Sequence, residues 1–385
     1  MNDFTFNTTP SVLFGEGSIR RLGEVAARLL GPRVLVVTDA GLVAAGLVGP
    51  AIESLEAAGL AVTLFTDVAA DPPEACVQSA ASAARQAAAT GVIGLGGGSP
   101  MDVAKLAALL ARSGEALEGA YGVALAKGPR LPLVLAPTTS GTGSEVTPIA
   151  IVTTGEAEKK GVVSALLLPD LAVLDPELTL GLPASVTAAT GIDAMVHAIE
   201  AYTSASANNN PLSQALARLA LAKLAGAIER AVADGADRTA RGDMLLGSML
   251  AGQAFANSPV AAVHALAYPI GGIFHVPHGL SNALVLPHVL RFNAPAAGPA
   301  YAELASIIFP DLAALPADIR AEAFADAIAG LADRLGLPAR LRDVRIPHEA
   351  IGRLSADAMK QTRLLVNNPR PLNLADAEAI YEAAW

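Results

Sequence analysis

A single cysteine, Cys76, among 385 residues removes an intramolecular disulfide and any cysteine-based metal cluster from consideration. Aromatic residues make up only 4% of the chain and charged residues 16%, although 52% of it is hydrophobic. That apolar content, mostly Ala, Leu and Val, is far too high for intrinsic disorder. The mean hydropathy is +0.46, yet no apolar run reaches the roughly 18 uninterrupted residues of a membrane helix. The longest candidate, Val260–Phe274, is broken by His264 and Pro269. Basic charge is also scarce. Against 36 Asp and Glu stand 26 Lys and Arg, a net charge of −10 with no basic cluster, which argues against a nucleic-acid backbone as partner. No basic-then-apolar leader over Met1–Pro10 reads as a secretory signal. These absences predict a soluble, cytoplasmic, globular protein that binds neither nucleic acid nor membrane. Its length suggests two or three domains.

What is present divides the chain in two. Arg33–Thr38, Ala61–Phe65, Gly91–Leu95 and Leu131–Ala136 are short, nearly continuous apolar runs bounded by Gly, Pro or Asp. Between them lie helix-like stretches such as Gly41–Ala58 and Glu74–Ala89, a pattern that implies a parallel sheet covered on both faces. Ile149–Thr153 and Leu171–Leu174 add further strands. After Leu182-Pro183, Ser185–Ser204, Pro211–Ala233, Arg238–Ala256 and Asp318–Leu335 repeat apolar residues at spacings of three and four. The expectation is an α/β domain over residues 1–182 and an all-α domain over 183–385, with Ser206–Pro211 and Asn293–Pro299 as inter-helix loops. A cleft between two such domains is a preferred place for a ligand.

Two loops in the first half suit an anionic ligand. Gly94-Leu95-Gly96-Gly97-Gly98-Ser99-Pro100 follows one strand and precedes the helix-like Met101-Asp102-Val103-Ala104-Lys105. Glycines at a strand-to-helix turn let backbone N–H groups approach a phosphate, aided by the helix dipole. Ser99 stands where the dinucleotide fingerprint has its third glycine, and the ending of a P-loop is missing. A tight turn that merely needs glycine would look the same. The second loop, Pro137–Glu145, carries five hydroxyls and two glycines at the end of a strand, where open α/β sheets bind ligands. Asp39 also ends a strand. Its carboxylate suits a ribose diol and would repel a 2′-phosphate, favouring NAD over NADP, although helix capping explains it equally well.

In the second half, Asp193 and His197 lie four residues apart on one face of an otherwise apolar helix, with Glu200 three further on. Glu200 is placed to orient a ligand. Four of the six histidines, His264, His275, His278 and His288, fall in one later apolar stretch. Two of them with Asp193 and His197 would make a one-oxygen, three-nitrogen set suited to Fe(II) or Zn(II) rather than Mg or Ca. A hydrogen-bonded core histidine is the commoner explanation of any one such residue.

Taken in order, these residues resemble the iron-dependent (group III) alcohol dehydrogenases over essentially the whole chain. The likeness is carried by Phe14-Gly15-Glu16-Gly17, Asp39, Gly96 through Lys105, Thr138–Glu145, Leu174-Asp175-Pro176, Gly191–Tyr202 and His264 through Asn293. It implies an N-terminal NAD(P)-binding domain with a parallel sheet and a C-terminal helical domain holding one divalent metal. The implied metal ligands are Asp193, His197, His264 and His278. Gly97, Gly98 and Ser99 would contact the pyrophosphate, with Asp102 near the nicotinamide ribose. Thr138, Thr139 and Ser144 would line the cofactor, Asp39 would face the adenosine ribose, and Lys160 in Glu156–Gly161 would reach the cofactor. The resemblance also implies a homodimer.

One departure stands out. Tyr268 occupies a position that many relatives fill with a histidine assigned to proton transfer. A phenol with its ordinary pKa of about 10 is a poorer shuttle, and His275 is the alternative source of an imidazole. The expected reaction is reversible hydride transfer between a small alcohol and NAD, with Fe(II) or Zn(II) binding the alcohol oxygen. Glycerol dehydrogenase, maleylacetate reductase, hydroxyacid–oxoacid transhydrogenase and dehydroquinate synthase activities share the fold. A metal-dependent phosphohydrolase or a non-catalytic nucleotide-binding protein is the alternative from another class.

Overall fold

The computed structural model describes residues 3–155 and 158–385. Among these, the chain divides into two compact units. One is Asn7–Leu180, and the other joins residues 3–6 to Gly181–Trp385.

The first unit is built on strands β1 (Val12–Phe14), β2 (Arg33–Val37), β3 (Ala61–Phe65), β4 (Gly91–Gly96), β5 (Gly122–Val123), β6 (Leu133–Pro137), β7 (Ile149–Thr154), β8 (Glu158–Val163) and β9 (Leu171–Leu174). Six of them form one sheet in the order β1-β9-β6-β4-β2-β3, parallel throughout. Helices α1 (Leu22–Leu30), α2 (Ala40–Ala44), α3 (Gly49–Ala57), α4 (Glu74–Gln86) and α5 (Gly98–Ser113) connect the strands. β2 shows why its sequence is apolar throughout. Val34 and Val36 pack with Leu22, Leu30 and Leu55 in one core, while Leu35 and Val37 pack with Val77 and Leu106 in the other. Successive side chains point to opposite faces, so a strand covered on both sides has no polar position. Each such side chain stabilises the fold by roughly 1.5–3 kcal/mol relative to exposure.

The structure refines the sequence expectation in two places. Leu171–Leu174 joins the large sheet, but Ile149–Thr154 does not. It pairs antiparallel with β8 in a separate three-stranded sheet, β5-β8-β7. The reason is polarity: β7 alternates buried and half-buried positions and β8 carries Glu158, Lys159 and Lys160. Strands wet on one side suit a hairpin better than a doubly covered sheet. Glu156 and Ala157 lie outside the described residues. The Gly41–Ala58 segment is also two helices rather than one, broken where Gly46 takes φ 73°.

The second unit is helical: α6 (Ala184–Thr203), α7 (Pro211–Ala233), α8 (Arg238–Asn257), α9 (Ala262–Phe274), α10 (His278–Ile308), α11 (Ala317–Arg334), α12 (Ile351–Ala358), α13 (Thr362–Leu365) and α14 (Leu374–Ala384). Asn210 and Asp237 cap α7 and α8 by accepting from the N–H of Ser213 and Ala240. No described helix is long and apolar enough to cross a membrane.

Asn293–Pro299 is not a loop. It lies inside α10, which runs on through Pro287, Pro295 and Pro299. Proline inside a helix costs about 3 kcal/mol when it strands a carbonyl. Pro295 and Pro299 are exposed, and so are Arg291 and Pro295, whose carbonyls lose the helical bond. Meanwhile Leu290, Asn293, Ala297, Tyr301 and Leu304 bury one continuous face. Tertiary burial therefore overrides the local breakers.

Candidate metal centre and glycine turn

In the second unit, three helices supply the converging groups. α6 contributes Asp193, His197 and Glu200, all at least 95% buried; α9 brings His264 in its first turn, and α10 opens with His278. Glu200 fixes one tautomer. Its Oε1 accepts the Val263 N–H at 2.7 Å, and its Oε2 lies 2.6 Å from His264 Nδ1. A carboxylate only accepts, so Nδ1 carries the proton and His264 Nε2 presents a lone pair.

That nitrogen is 3.0 Å from His197 Nε2 and 3.9 Å from Asp193 Oδ1, and His278 Nε2 is 3.6 Å from the same oxygen. The ligand atoms of Asp193, His264 and His278 all lie within 4.8 Å of one another. His197 is held flat against Phe255, ring centroids 4.3 Å apart. Burial pushes the Asp193 carboxyl up, but His197, His278, His264 and the Asn282 amide together hold it below its ordinary range. The Asp193 carboxylate and the His264 Nε2 lone pair face one another in a buried site, an arrangement that a positive charge among them would relieve. A divalent cation that accepts oxygen and nitrogen fits this donor set, as Fe(II) or Zn(II) does.

Asn282 was not legible as part of this group. Fully buried, it donates from Nδ2 to Asp193 Oδ1 at 2.5 Å and stands 3.4 Å from both His264 Nε2 and His278 Nε2. Its only sequence signal is the four-residue spacing from His278. Tyr268 tilts beside His278 with ring centroids 5.9 Å apart. His275 is exposed in a left-handed conformation (φ 55°) capping α9, outside the group of converging atoms.

In the first unit, β2, β4 and β6 end side by side, and each end carries predicted residues. Gly96 takes φ 155°, and a Cβ there would fall 2.6 Å from Pro100 Cγ, so only glycine turns the chain into α5. Gly97 is the N-cap and Gly98 and Ser99 open the helix, whose first N–H groups have no helical partner. The Thr138 N–H donates to Gly96 O at 3.0 Å, tying the hydroxyl loop to the glycine turn, and Thr139 lies against Gly97. Asp102 accepts the Ser144 hydroxyl at 2.6 Å and the Ile151 N–H at 2.9 Å. Asp39 caps α2 by accepting from Leu42 N at 3.0 Å. Lys160 sits on β8, 3.5 Å from Glu158 and 5.9 Å over the Tyr121 ring.

Residues 9–176 match the family described as iron-containing alcohol dehydrogenase, and residues 187–385 match the C-terminal part of the Fe-containing alcohol dehydrogenase family. The chain belongs to the iron-containing alcohol dehydrogenase family. Among similar members, long-chain-alcohol dehydrogenase 1 of Geobacillus thermodenitrificans (strain NG80-2) is 41% identical over 374 residues, covering 96% of this chain and 94% of the relative. A solved 1,3-propanediol oxidoreductase superposes with a TM-score of 0.96 at 34% identity, covering 100% of each chain. Sulfoacetaldehyde reductase from Bifidobacterium kashiwanohense, solved in complex with NAD+, gives 0.88 at 30%, covering 99% of this chain and 98% of that one.

For this family member, Glu200→Gln is expected to weaken metal binding by roughly 10–100-fold, because an amide holds His264 without the negative charge that raises its basicity. Competition with a fluorescent chelator measures it. Unchanged affinity would mean that Glu200 serves packing alone.

Proposed function

We propose that the chain is a metal-dependent alcohol dehydrogenase and carbonyl reductase, moving a hydride between a small alcohol carbon and the nicotinamide of NAD. The observation that carries this reading is the convergence of Asp193, His197, His264 and His278, with the His264 tautomer set by Glu200, in a chain of this family.

The four side chains would hold Fe(II), with Zn(II) as the alternative. When bound, such an ion supplies Lewis-acid polarisation of the alcohol or carbonyl group. The protein's own residues do the rest. Glu200 and Phe255 fix the planes of His264 and His197, which keeps their lone pairs aimed before any ligand arrives. The Tyr268 phenol, beside His278, is assigned a hydrogen bond to the substrate oxygen, and exposed His275 the exchange of a proton with solvent. Residues 1–182 would bind the dinucleotide: Gly97, Gly98 and Ser99 at its phosphates, Thr138, Thr139, Ser144 and Lys160 along it, Asp102 at one ribose and Asp39 at the other. The negative Asp39 disfavours the extra phosphate of NADP. Residues 183–385 would form the metal-binding domain. A homodimer belongs to the same reading, supported by the family resemblance, and a cytoplasmic location, supported by the single cysteine and the composition.

The test is an anaerobic assay on protein reconstituted separately with Fe(II) and Zn(II), offering alcohols with NAD+ and NADP+ and aldehydes with NADH and NADPH. Aldehyde-dependent loss of NADH absorbance is expected, lost on chelation and restored by metal. A metal-loaded protein that leaves NADH untouched across the panel contradicts the reading.

A further inference from the structure

α5 carries a lysine where none is expected. Lys105 lies in a stretch of α5 that is buried nearly all round, Val103 through Leu110, and has no solvent exposure. Its ammonium donates to Ser144 Oγ at 2.8 Å, Thr147 Oγ1 at 3.3 Å and the Ile149 carbonyl at 2.7 Å. These three acceptors come from one continuous segment, so Lys105 pins residues 144–149 to the helix that opens at the glycine turn. The Asp102 carboxylate is 3.8 Å away, and Ser144 links the two, accepting from Lys105 while donating to Asp102. Glu145, also buried, has an oxygen, Oε1, with no hydrogen-bond partner among the described residues. Two carboxyls and one ammonium thus lie close together where α5 meets the 144–149 segment, with Lys105 and Glu145 buried.

We propose that Lys105 is a positioning residue for the dinucleotide, holding the Asp102 carboxylate and the 144–149 segment in the arrangement that binds NAD. This rests on the reading of the glycine turn as the dinucleotide site. Lys105 touches no cofactor; it acts through Ser144 and Asp102. A neutral amine would still donate but would leave Asp102 without its counter-charge. Burial by itself pushes the Asp102 carboxyl up, and Lys105 is the charge that opposes it.

A pH dependence follows from the charges that face Lys105: Asp102 from its own helix and Glu145 from the 144–146 turn, the remaining contacts being neutral hydroxyls and a carbonyl. Burial pushes the ammonium down to about 8, against the opposing pull of Asp102 and Glu145. The Glu145 carboxyl, pushed up by burial to about 7, ionises first. The protonated form of Lys105 therefore dominates below about pH 8 and is lost above it. NAD+ affinity should follow, falling as pH rises through that range.

The experiment is calorimetric titration of NAD+ into the metal-loaded full chain from pH 6.5 to 9.5, for wild type, Lys105→Met and Ser144→Ala. Wild-type Kd is expected to hold steady below about pH 8 and then rise toward a plateau no more than about tenfold higher. Lys105→Met should bind NAD+ roughly tenfold more weakly at pH 7, with a flat profile. Ser144→Ala, which keeps the ammonium 3.8 Å from Asp102 but removes the hydroxyl that joins them, should make the profile shallower, and stands in if the methionine variant does not fold. A purely structural lysine would lower Tm while leaving the slope and Kd alone, and that result overturns the inference. Wild type that binds no NAD+ at any pH removes the dinucleotide reading itself, and the inference with it.

Discussion

His278→Ala should lose its metal and on the order of a thousandfold in turnover, while the protein stays folded. The magnitude follows from a Lewis acid supplying several kcal/mol of transition-state stabilisation, at 1.36 kcal/mol for each tenfold in rate. The fold survives because the His278 side chain is 40% exposed, so its removal leaves little cavity, and its buried neighbours Asp193 and Asn282 keep their bond to each other. His264→Ala gives a different pattern. It should lose the metal equally, but it also takes the imidazole from Glu200, whose side chain is 6% exposed and keeps only the Val263 N–H. Leaving a buried carboxylate short of a hydrogen-bond donor costs on the order of 1–3 kcal/mol. Metal content by mass spectrometry, NADH-linked turnover and thermal melts of the metal-free proteins separate the two. Equal melting of the two variants, or one equivalent of metal retained by either, contradicts this assignment.

The second large effect is expected at a residue with no side chain. Gly279 follows His278, and a Cβ built there would collide with the Ala189 carbonyl oxygen, lie 2.8 Å from its carbon and sit 3.3 Å from Asp193 Cβ. Ala189 is one helical turn before Asp193, so α6 and α10 touch backbone to backbone where each carries a proposed metal ligand. Gly279→Ala must push the helices apart, at about 1–3 kcal/mol for an overpacked contact. The same movement separates Asp193 from His278, now 3.6 Å apart. Metal affinity should therefore fall by roughly tenfold or more, in line with changes that disturb how ligands are held. A melt and a chelator competition check both effects. A variant that melts lower with metal affinity intact would mean that the two ligands adjust independently of the helix contact.

The ligand helix was readable because α6 is almost uniformly apolar, so Asp193, His197 and Glu200 stood out against it at helical spacing. The central strands β2, β4, β6 and β9 were equally plain, since a strand buried on both faces cannot hide polar residues, whereas the exposed edge strand β1 went unread. β7 was assigned to no particular sheet, because its neighbour β8 is half polar and carried no strand signal. α10 misled in the opposite direction. Its prolines announce a loop, and only the burial of Leu290, Asn293, Ala297, Tyr301 and Leu304 shows why the helix continues. Asn282 and Lys105 escaped for a shared reason. Each is a polar residue whose meaning lies in partners from distant segments, Asp193 for one and Ser144 to Ile149 for the other. Asp39 carried two readings, and its side chain makes the helix cap.

The most direct measurement is an anomalous diffraction map from crystals of the full chain reconstituted with Fe(II) or Zn(II). One peak is predicted, about 2.0–2.2 Å from an Asp193 carboxylate oxygen and from Nε2 of His197, His264 and His278. A peak seated elsewhere, or fully loaded protein with no density among those four side chains, would contradict the account.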